Sequence, residues 1–539
     1  MSRMTRTAGI FCFTALLTAF GGSARAQVYS GGTVIEALPL GARNAVTNLH
    51  AEGGRLFAGP RLVIIEADGT ARFVDHDAFT PPAAPDASMF SIDVEGDTIW
   101  VGLGFVDEDA EGAPQTAAGF AFSTDGGETW AFRAPQLDRP EDTTVQYGIS
   151  TLEALPIIVP QQSPPFDLDY DPATGDLWVA GWASGIRRST DDGASWERIV
   201  LPPDTLFELD PQTPYSFRYA PERAPGEEGN NFLGFSVLVD EAGTIWAGTV
   251  SGVNRSDSSD VDPGTGDRAW RRFAWDGTET GLVGNWTISI EEQPRAGQRN
   301  PVWMANWRAL EPAEEFGLTV WTGDDDEGNP IFEPILFGEK IYDVAFDGET
   351  VYAGGDNGLF LCENCLADRT WRALRSFRAP DGTVLPVRPG TPVYSVAVTD
   401  AGTDDAVVWA GTGDGLLRST DGGARWALFR TSVPTNPSQP TDEVPEVEAY
   451  AYPNPFSPAA DAFVRIRFDL ESAAAVRVRV FDFGMRLVRE LDGGSAPAGP
   501  VEVTWDGRTD EGTRVANGVY FYVVDAGGQE ATGKILVLE

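Results

Sequence analysis

Two kinds of patterning divide the chain. Toward its end, apolar and polar residues alternate in short runs. Val464, Ile466, Phe468 and Leu470 are interleaved with Arg465, Arg467 and Asp469. Val476, Val478 and Val480 flank Arg477 and Arg479, and Val501, Val503 and Trp505 precede Asp506-Gly507. Period-two alternation predicts strands with one buried face. About seven such strands in roughly 90 residues predict a small β-sandwich. Earlier in the chain one phrase recurs, an aromatic or apolar residue followed by Ala or Val and then Gly. It reads Phe57-Ala58-Gly59, Trp100-Val101-Gly102, Trp178-Val179-Ala180-Gly181, Trp246-Ala247-Gly248, Trp303-Met304-Ala305, Tyr352-Ala353-Gly354 and Trp409-Ala410-Gly411. Each copy follows an alternating strand, as in FSIDVEGDTIWVG.

Seven copies over residues 33–445 give about 59 residues per unit, more than the roughly 40–50 of a common propeller blade. Loop insertions account for the surplus. The expectation is an all-β chain, a seven-bladed β-propeller followed by the small sandwich. Its blades begin near residues 33, 89, 165, 234, 284, 340 and 392. In such a blade the a–b and c–d turns share one face and the b–c and d–a connections share the other. The insertions 104–119, 132–165 and 200–232 are therefore expected on the b–c face, and irregular loops on a rigid scaffold are where function concentrates.

Three units carry a second phrase, Ser-x-Asp-x-Gly-x-x-Trp. It comprises Ser123, Asp125, Gly127 and Trp130, then Ser189, Asp191, Gly193 and Trp196, then Ser419, Asp421, Gly423 and Trp426. Degenerate copies end at Trp270 and Trp371. The Ser and Asp side chains can hydrogen-bond turn amides, Gly supplies positive φ, and Trp packs between sheets. The phrase resembles the Asp-box (BNR) repeat of β-propellers, and its expected role is a folding staple at c–d turns.

The two ends change the picture of where the protein works. Arg3 and Arg6, an apolar run from Ile10 to about Phe20, and Ala24-Arg25-Ala26 read as a secretory signal peptide over 1–26. Cys12 lies in the apolar run with no lipobox, and the run is shorter than the roughly 20 residues of a membrane span. The expected organisation is signal peptide 1–26, propeller 27–430, Pro-rich linker 431–447 and C-terminal domain 448–539. In that last domain YPNPF, VRIRFDL, VRVRVFDFGMRLVREL, VTWDGRTDEGTRVANGVYFYVV and GKILVLE resemble the FlgD-type immunoglobulin-like domain. They are also similar to the C-terminal sorting domain of the type IX secretion system. The resemblance implies an immunoglobulin-like sandwich and export to the cell surface or medium, with the type IX machinery as partner. A plain stalk is the alternative.

Charge narrows the partners. The chain has 81 acidic against 39 basic residues and a net charge of −42. Nucleic acid and anionic membranes need clustered Lys and Arg, so both are disfavoured. The lysines are Lys340 and Lys534 alone, and the histidines His50 and His76 alone, so metal sites built from several histidines are excluded. Cys362 and Cys365, three apart in an exported chain, are expected to form a disulfide at a hairpin tip.

Candidate chemistry is diffuse. Sialidases share Asp-box propellers, but Phe132-Arg133-Ala134-Pro135 and Phe377-Arg378-Ala379-Pro380 follow Asp-box-like turns instead of preceding them, against sialidase order. Asp167, Asp169 and Asp171 alternate along one inner strand and could face an axial channel, as a cation or substrate site or as a solvated strand face. The turn Asp324-Asp325-Asp326-Glu327 offers calcium as a possible cofactor; no other cofactor or metal is indicated. Trp182, Trp286 and Trp307 near the b–c face, and Tyr215 in the 200–232 insertion, suit glycan stacking or partner anchoring. There is no phosphate loop, HExxH or GxSxG motif. The leading expectation is a non-enzymatic glycan- or protein-binding module. The alternative is a glycoside hydrolase using a carboxylate pair about 5–9 Å apart on the same face.

Overall fold

A computed structural model describes residues 27–28, 34–35, 45–429 and 449–538, apart from 111, 222–228, 279, 310, 381, 383–384, 386, 388–389, 453, 459–462 and 497. The expected signal peptide (1–26) and linker (431–447) lie outside these residues. The protein is all-β. Seven sheets, each with four sequential antiparallel strands, are followed by a sandwich of a three-stranded and a four-stranded sheet. The innermost strands of the seven are Leu49–Glu52, Ser88–Glu95, Pro165–Asp171, Gly234–Val239, Trp286–Glu292, Ile341–Asp347 and Val393–Thr399. Each touches the next, and the seventh touches the first, so the sheets close a ring. This is a propeller, and its sheets are called blades one to seven below.

Closure follows from the sequence phrase. The second strand of each blade is buried almost throughout, with Trp100, Trp178, Trp246 and Trp303 at most 1% exposed. The Gly that follows leaves room for the next blade: a Cβ on Gly411 would lie 2.7 Å from Val46 O, and one on Gly248 2.4 Å from Thr287 O. Small residues there let neighbouring sheets approach, and the large rings before them fill the wedge between twisted sheets.

The three Ser-x-Asp turns join third and fourth strands. Gly127 N donates to Ser123 Oγ at 2.9 Å, Thr129 N donates to Asp125 Oδ1 at 2.9 Å, and Trp130 Nε1 donates to Gly127 O at 3.0 Å. The hydroxyl and carboxylate bonds recur around Ser189 and Asp191 and around Ser419 and Asp421. Gly127, Gly193 and Gly423 adopt φ of +85°, +72° and +88°, which a side chain would strain. Each Trp then meets a phenylalanine from outside its own blade: Trp130 on Phe79 at 4.9 Å, Trp196 on Phe120 at 5.1 Å, Trp426 on Phe377 at 5.4 Å. Cys362 and Cys365 are joined by a disulfide at the end of the third strand of blade six.

The insertions are partly built into strands. Much of 104–119 simply lengthens two strands, Thr98–Val106 and Gln115–Ser123. Segments 132–165 and 200–232 form short strands of their own: Ser150–Ala154 pairs with Arg218–Tyr219, and Glu208–Leu209 adds a fifth strand to the outer edge of blade four. An outer strand carries unpaired N–H and C=O groups, and Glu208–Leu209 covers that edge in blade four.

The sandwich core is Phe456, Val464, Ile466, Val478, Val480 and Trp505 with their neighbours, all buried. Phe456, from the YPNPF run, bonds through its backbone to Leu536 and Leu538, locking the first segment of the domain to its last strand.

Candidate functional site

Residues of six of the seven blades, all but the fourth, line an open axial cavity of about 290 Å³. Its layers come from a second repeat, in the backbone. Six inner strands carry a one-residue bulge, which pushes out Phe90, Phe166, Phe235, Ile288, Tyr342 and Tyr394. A bulged residue is unpaired and re-aimed. Here the bulges line one end of the channel with apolar side chains, all but one aromatic. Phe90, Phe166 and Phe235 follow one another at 6.4 and 6.1 Å. Trp182 and Trp286 join Phe235 at 5.2 and 5.4 Å, and Trp182 lies 6.0 Å from Trp286. On the other side Tyr342 lies 5.4 Å from Trp307 and 5.5 Å from Tyr394. The structure thus brings Trp182, Trp286 and Trp307 together around one mouth. Tyr215 is elsewhere: it packs on Tyr147 and Phe217 beside the insertions, and its hydroxyl accepts from Asp210 N.

The residue after each bulge is Ser91, Asp167, Ser236, Ser289, Asp343 or Ser395. Two positions further on come Asp93, Asp169 and Glu291, with His50 at the matching place in blade one. An inner strand has one edge toward its neighbour with no sheet partner, so its N–H and C=O groups need bonds. These side chains supply them. Asp93 accepts from Tyr170 N, Asp167 from Val237 N and Asp169 from Val239 N, at 2.8, 3.0 and 3.0 Å. Ser91 donates to Pro165 O and Ser236 to Thr287 O. Asp343 accepts from Val396 N at 2.9 Å and from Ser395 Oγ at 2.7 Å, and Ser395 Oγ in turn accepts from Leu49 N at 2.9 Å. Asp167 and Asp169 therefore face the axis and also tie blade three to blade four.

Ser395 serves the joints on both sides of blade seven. Ser395→Ala should leave Leu49 N and one bond of Asp343 without a partner, at a cost of about 1–3 kcal/mol. Urea unfolding of the full chain checks this; an unchanged midpoint would refute it.

Between blades five and six the pattern breaks. Ser289 and Glu291 occupy the equivalent positions and line the cavity, yet their side chains make no hydrogen bond among the described residues. The charge environment is unusual throughout. Burial, with Asp343, Asp167, Asp169 and Asp93 adding their negative charge, holds the Glu291 carboxyl well above the ordinary range. Burial likewise pushes Asp167 up to about 7, Asp343 to about 6, and Asp169 upward with help from Asp93. Burial raises Asp93 despite His50, whose Nε2 is 3.9 Å from Asp93 Oδ1. Among the described residues no three His, Cys, Asp or Glu side chains converge as metal ligands would. In the acidic turn Asp324 accepts from Arg255 of blade four at 2.7 Å, and Asp325 accepts from Asn329 N at 2.8 Å.

The bulge motif is also written in the sequence. MFSIDV, PFDLDY, GFSVLV, TISIEE, IYDVAF and VYSVAV share a ring or Ile, then Ser or Asp, then an aliphatic residue. It escapes a search for period-two alternation, because the extra residue before Ser or Asp shifts the pattern by one place.

Among the described residues no helix is long and apolar enough to cross a membrane. No curated protein matches the sequence. Among solved structures the chain is similar to PorZ, described as an essential bacterial surface component of the type-IX secretion system of Porphyromonas gingivalis. The identity is 16%, over 96% of this chain and 70% of that one, with a TM-score of 0.41. It is similar to the GH74 enzyme of Niastella koreensis at 12% identity, over 93% and 74% of the two chains, with a TM-score of 0.46. YCF48 from Cyanidioschyzon merolae is 16% identical over 71% and 92%, with a TM-score of 0.34. Residues 457–530 match the FlgD Ig-like domain family.

Proposed function

We propose that this is an exported surface or secreted protein that binds glycan in its axial cavity and is delivered by the type IX secretion machinery through its C-terminal domain. The observation that carries the binding role is the aromatic arc around the mouth. Flat rings on both sides of an open, polar axial cavity are the surface that sugar rings stack on. The export role is supported by the signal-like first 26 residues and by the FlgD Ig-like match. The Ser-x-Asp turns fit Asp boxes in a staple role, since their side-chain bonds are spent within the hairpin.

A hydrolase reading needs two carboxyl groups free to meet a glycosidic bond. Asp93, Asp167, Asp169 and Asp343 each hold a main-chain N–H of the next blade, which favours binding over catalysis. The test is calorimetry of the full mature chain against a panel of soluble oligosaccharides, with product analysis by mass spectrometry. One or more should bind without being cut. Trp182→Ala should weaken that binding at least about tenfold, as loss of a stacking ring does. Sugar release would establish the hydrolase, and absence of binding to any oligosaccharide would refute the glycan reading.

A further inference from the structure

Away from the axis, the joint between blades three and four holds a small cavity of about 30 Å³. That is room for a water or two, or for one small ion, and not for a sugar. Three arginines line it. Arg188 is on the third strand of blade three, Gly185–Ser189, and Arg198 on the fourth, Glu197–Arg198. Arg268 lies just before the fourth strand of blade four, Trp270–Phe273. The 132–165 insertion is bonded to the same place: Tyr147 Oη donates to Arg268 O at 2.9 Å, and Gly148 N donates to Asp267 Oδ2 at 2.7 Å.

Each guanidinium keeps one N–H unspent. Arg188 Nε, Arg198 Nη1 and Arg268 Nε are buried and have no acceptor among the described residues. The Arg198 side chain is 6% exposed. A buried donor without an acceptor is costly, and an ordered water or ion is the ordinary remedy. Glu197 and Asp267 also line the cavity, but both are engaged. Glu197 accepts from Arg188 Nη2 at 2.7 Å, and Asp267 holds Gly148 N. Asp176 lies 3.7 Å from Arg188 Nη1, and Asp138 bridges Arg198 to Arg187. Arg268 has no carboxylate partner among the described residues; its Nη1 donates to Asp257 O at 3.3 Å. Arg188 and Arg268 also share one ring, their guanidinium carbons 5.7 and 5.9 Å from the Trp178 centroid. Two like charges at one buried ring call for a negative charge beside them. A water would satisfy N–H groups and leave the charges unmatched; an anion does both.

We propose that this cavity is a chloride site that ties blade three, blade four and the 132–165 insertion together. The ion sits among Arg188, Arg198 and Arg268 and accepts their unspent N–H groups. Size and charge select it. A polyatomic anion brings more atoms than the cavity admits, and a cation would meet three guanidinium groups.

The experiment is thermal unfolding of the full chain in sodium chloride, sodium bromide and sodium gluconate, each at about 0.3 M ionic strength. Chloride and bromide should raise Tm by about 2 °C or more over gluconate, whose carbon chain the cavity cannot admit. The rise should saturate as halide replaces gluconate. R268M keeps a side chain of similar reach against Trp178 and removes one charge, so Arg188 loses a like-charged neighbour. It should lose at least about half of the halide rise. Anomalous diffraction from crystals of the full chain in bromide should place an ion between the three guanidinium groups. A Tm independent of the anion would overturn the proposal, as would a halide rise that R268M leaves whole. A bromide peak in the cavity without a rise in Tm would mark an adventitious ion only, and would overturn it too.

Discussion

Asp138→Ala should be among the most destabilising single changes in the propeller, costing about 3–5 kcal/mol. Asp138 lies in the 132–165 insertion, and its side chain is 4% exposed between Arg187 and Arg198, themselves 2% and 6% exposed. Arg187 Nη1 donates to Asp138 Oδ1 at 2.5 Å, Arg198 Nη2 lies 2.8 Å from Oδ2, and Ile157 N also donates to Oδ2, at 2.7 Å. Burial alone would raise this carboxyl. The bond and charge of Arg187, then Arg198, outweigh it and hold the group below the ordinary range. Alanine would leave two guanidinium groups buried beside one another with no counter-charge. It would also free the insertion, since Asp138 ties 132–165 to the third and fourth strands of blade three. Denaturant unfolding measures the loss, and limited proteolysis should show new cuts within 132–165. A loss below about 1 kcal/mol would mean that water reaches the arginines once the carboxylate is gone. Asp138→Asn should be milder, because it keeps an acceptor of the same shape.

That triad illustrates what the sequence can and cannot reveal. The blades are legible because each repeats Trp-Ala-Gly or a near variant at a place where ring volume and, in every blade but the fifth, a missing Cβ are required. The Ser-x-Asp turns are legible because all their bonds are local. Asp138, Arg187 and Arg198 are far apart in sequence, and nothing near Asp138 marks it as buried. The insertions are found at the right segments but in surroundings the sequence does not predict. Their short strands pair with one another, and one of them with the outer edge of blade four, and such pairing leaves little trace in composition. At the axis the three tryptophans and Asp167 and Asp169 stand out one by one. Glu291 does not, because its significance lies in the bond it does not make while four similar residues make theirs. Tyr215 shows the converse: a ring in a long loop looks available until the loop folds back on Tyr147.

The axial carboxylates should also move the pH of greatest stability to the acid side. The folded chain holds Asp167 at about 7 and Asp343 at about 6, with Asp93, Asp169 and Glu291 also raised, whereas unfolded carboxyls titrate near 4. Between those limits the folded state binds more protons than the unfolded one, so stability falls as pH rises through the folded values. Each tenfold difference in proton affinity between the two states is worth about 1.4 kcal/mol. After allowance for water in the cavity, the loss between about pH 5 and pH 8 should be about 2–4 kcal/mol, or several degrees in Tm. An opposing limb exists. Asp125, held down to about 2 first by the Thr129 hydroxyl, and Asp138, below its ordinary range, add stability that is lost as pH falls through their folded values. The maximum should therefore lie between about pH 4 and pH 6. Thermal unfolding of the full chain at about 0.3 M salt, where surface repulsion is screened, tests this. Asp169→Asn keeps the acceptor for Val239 N and removes one charge, so it should flatten the decline above about pH 6. A Tm that is level or rises from about pH 6 to pH 8 would show that the channel is wet enough to leave its carboxyls ordinary.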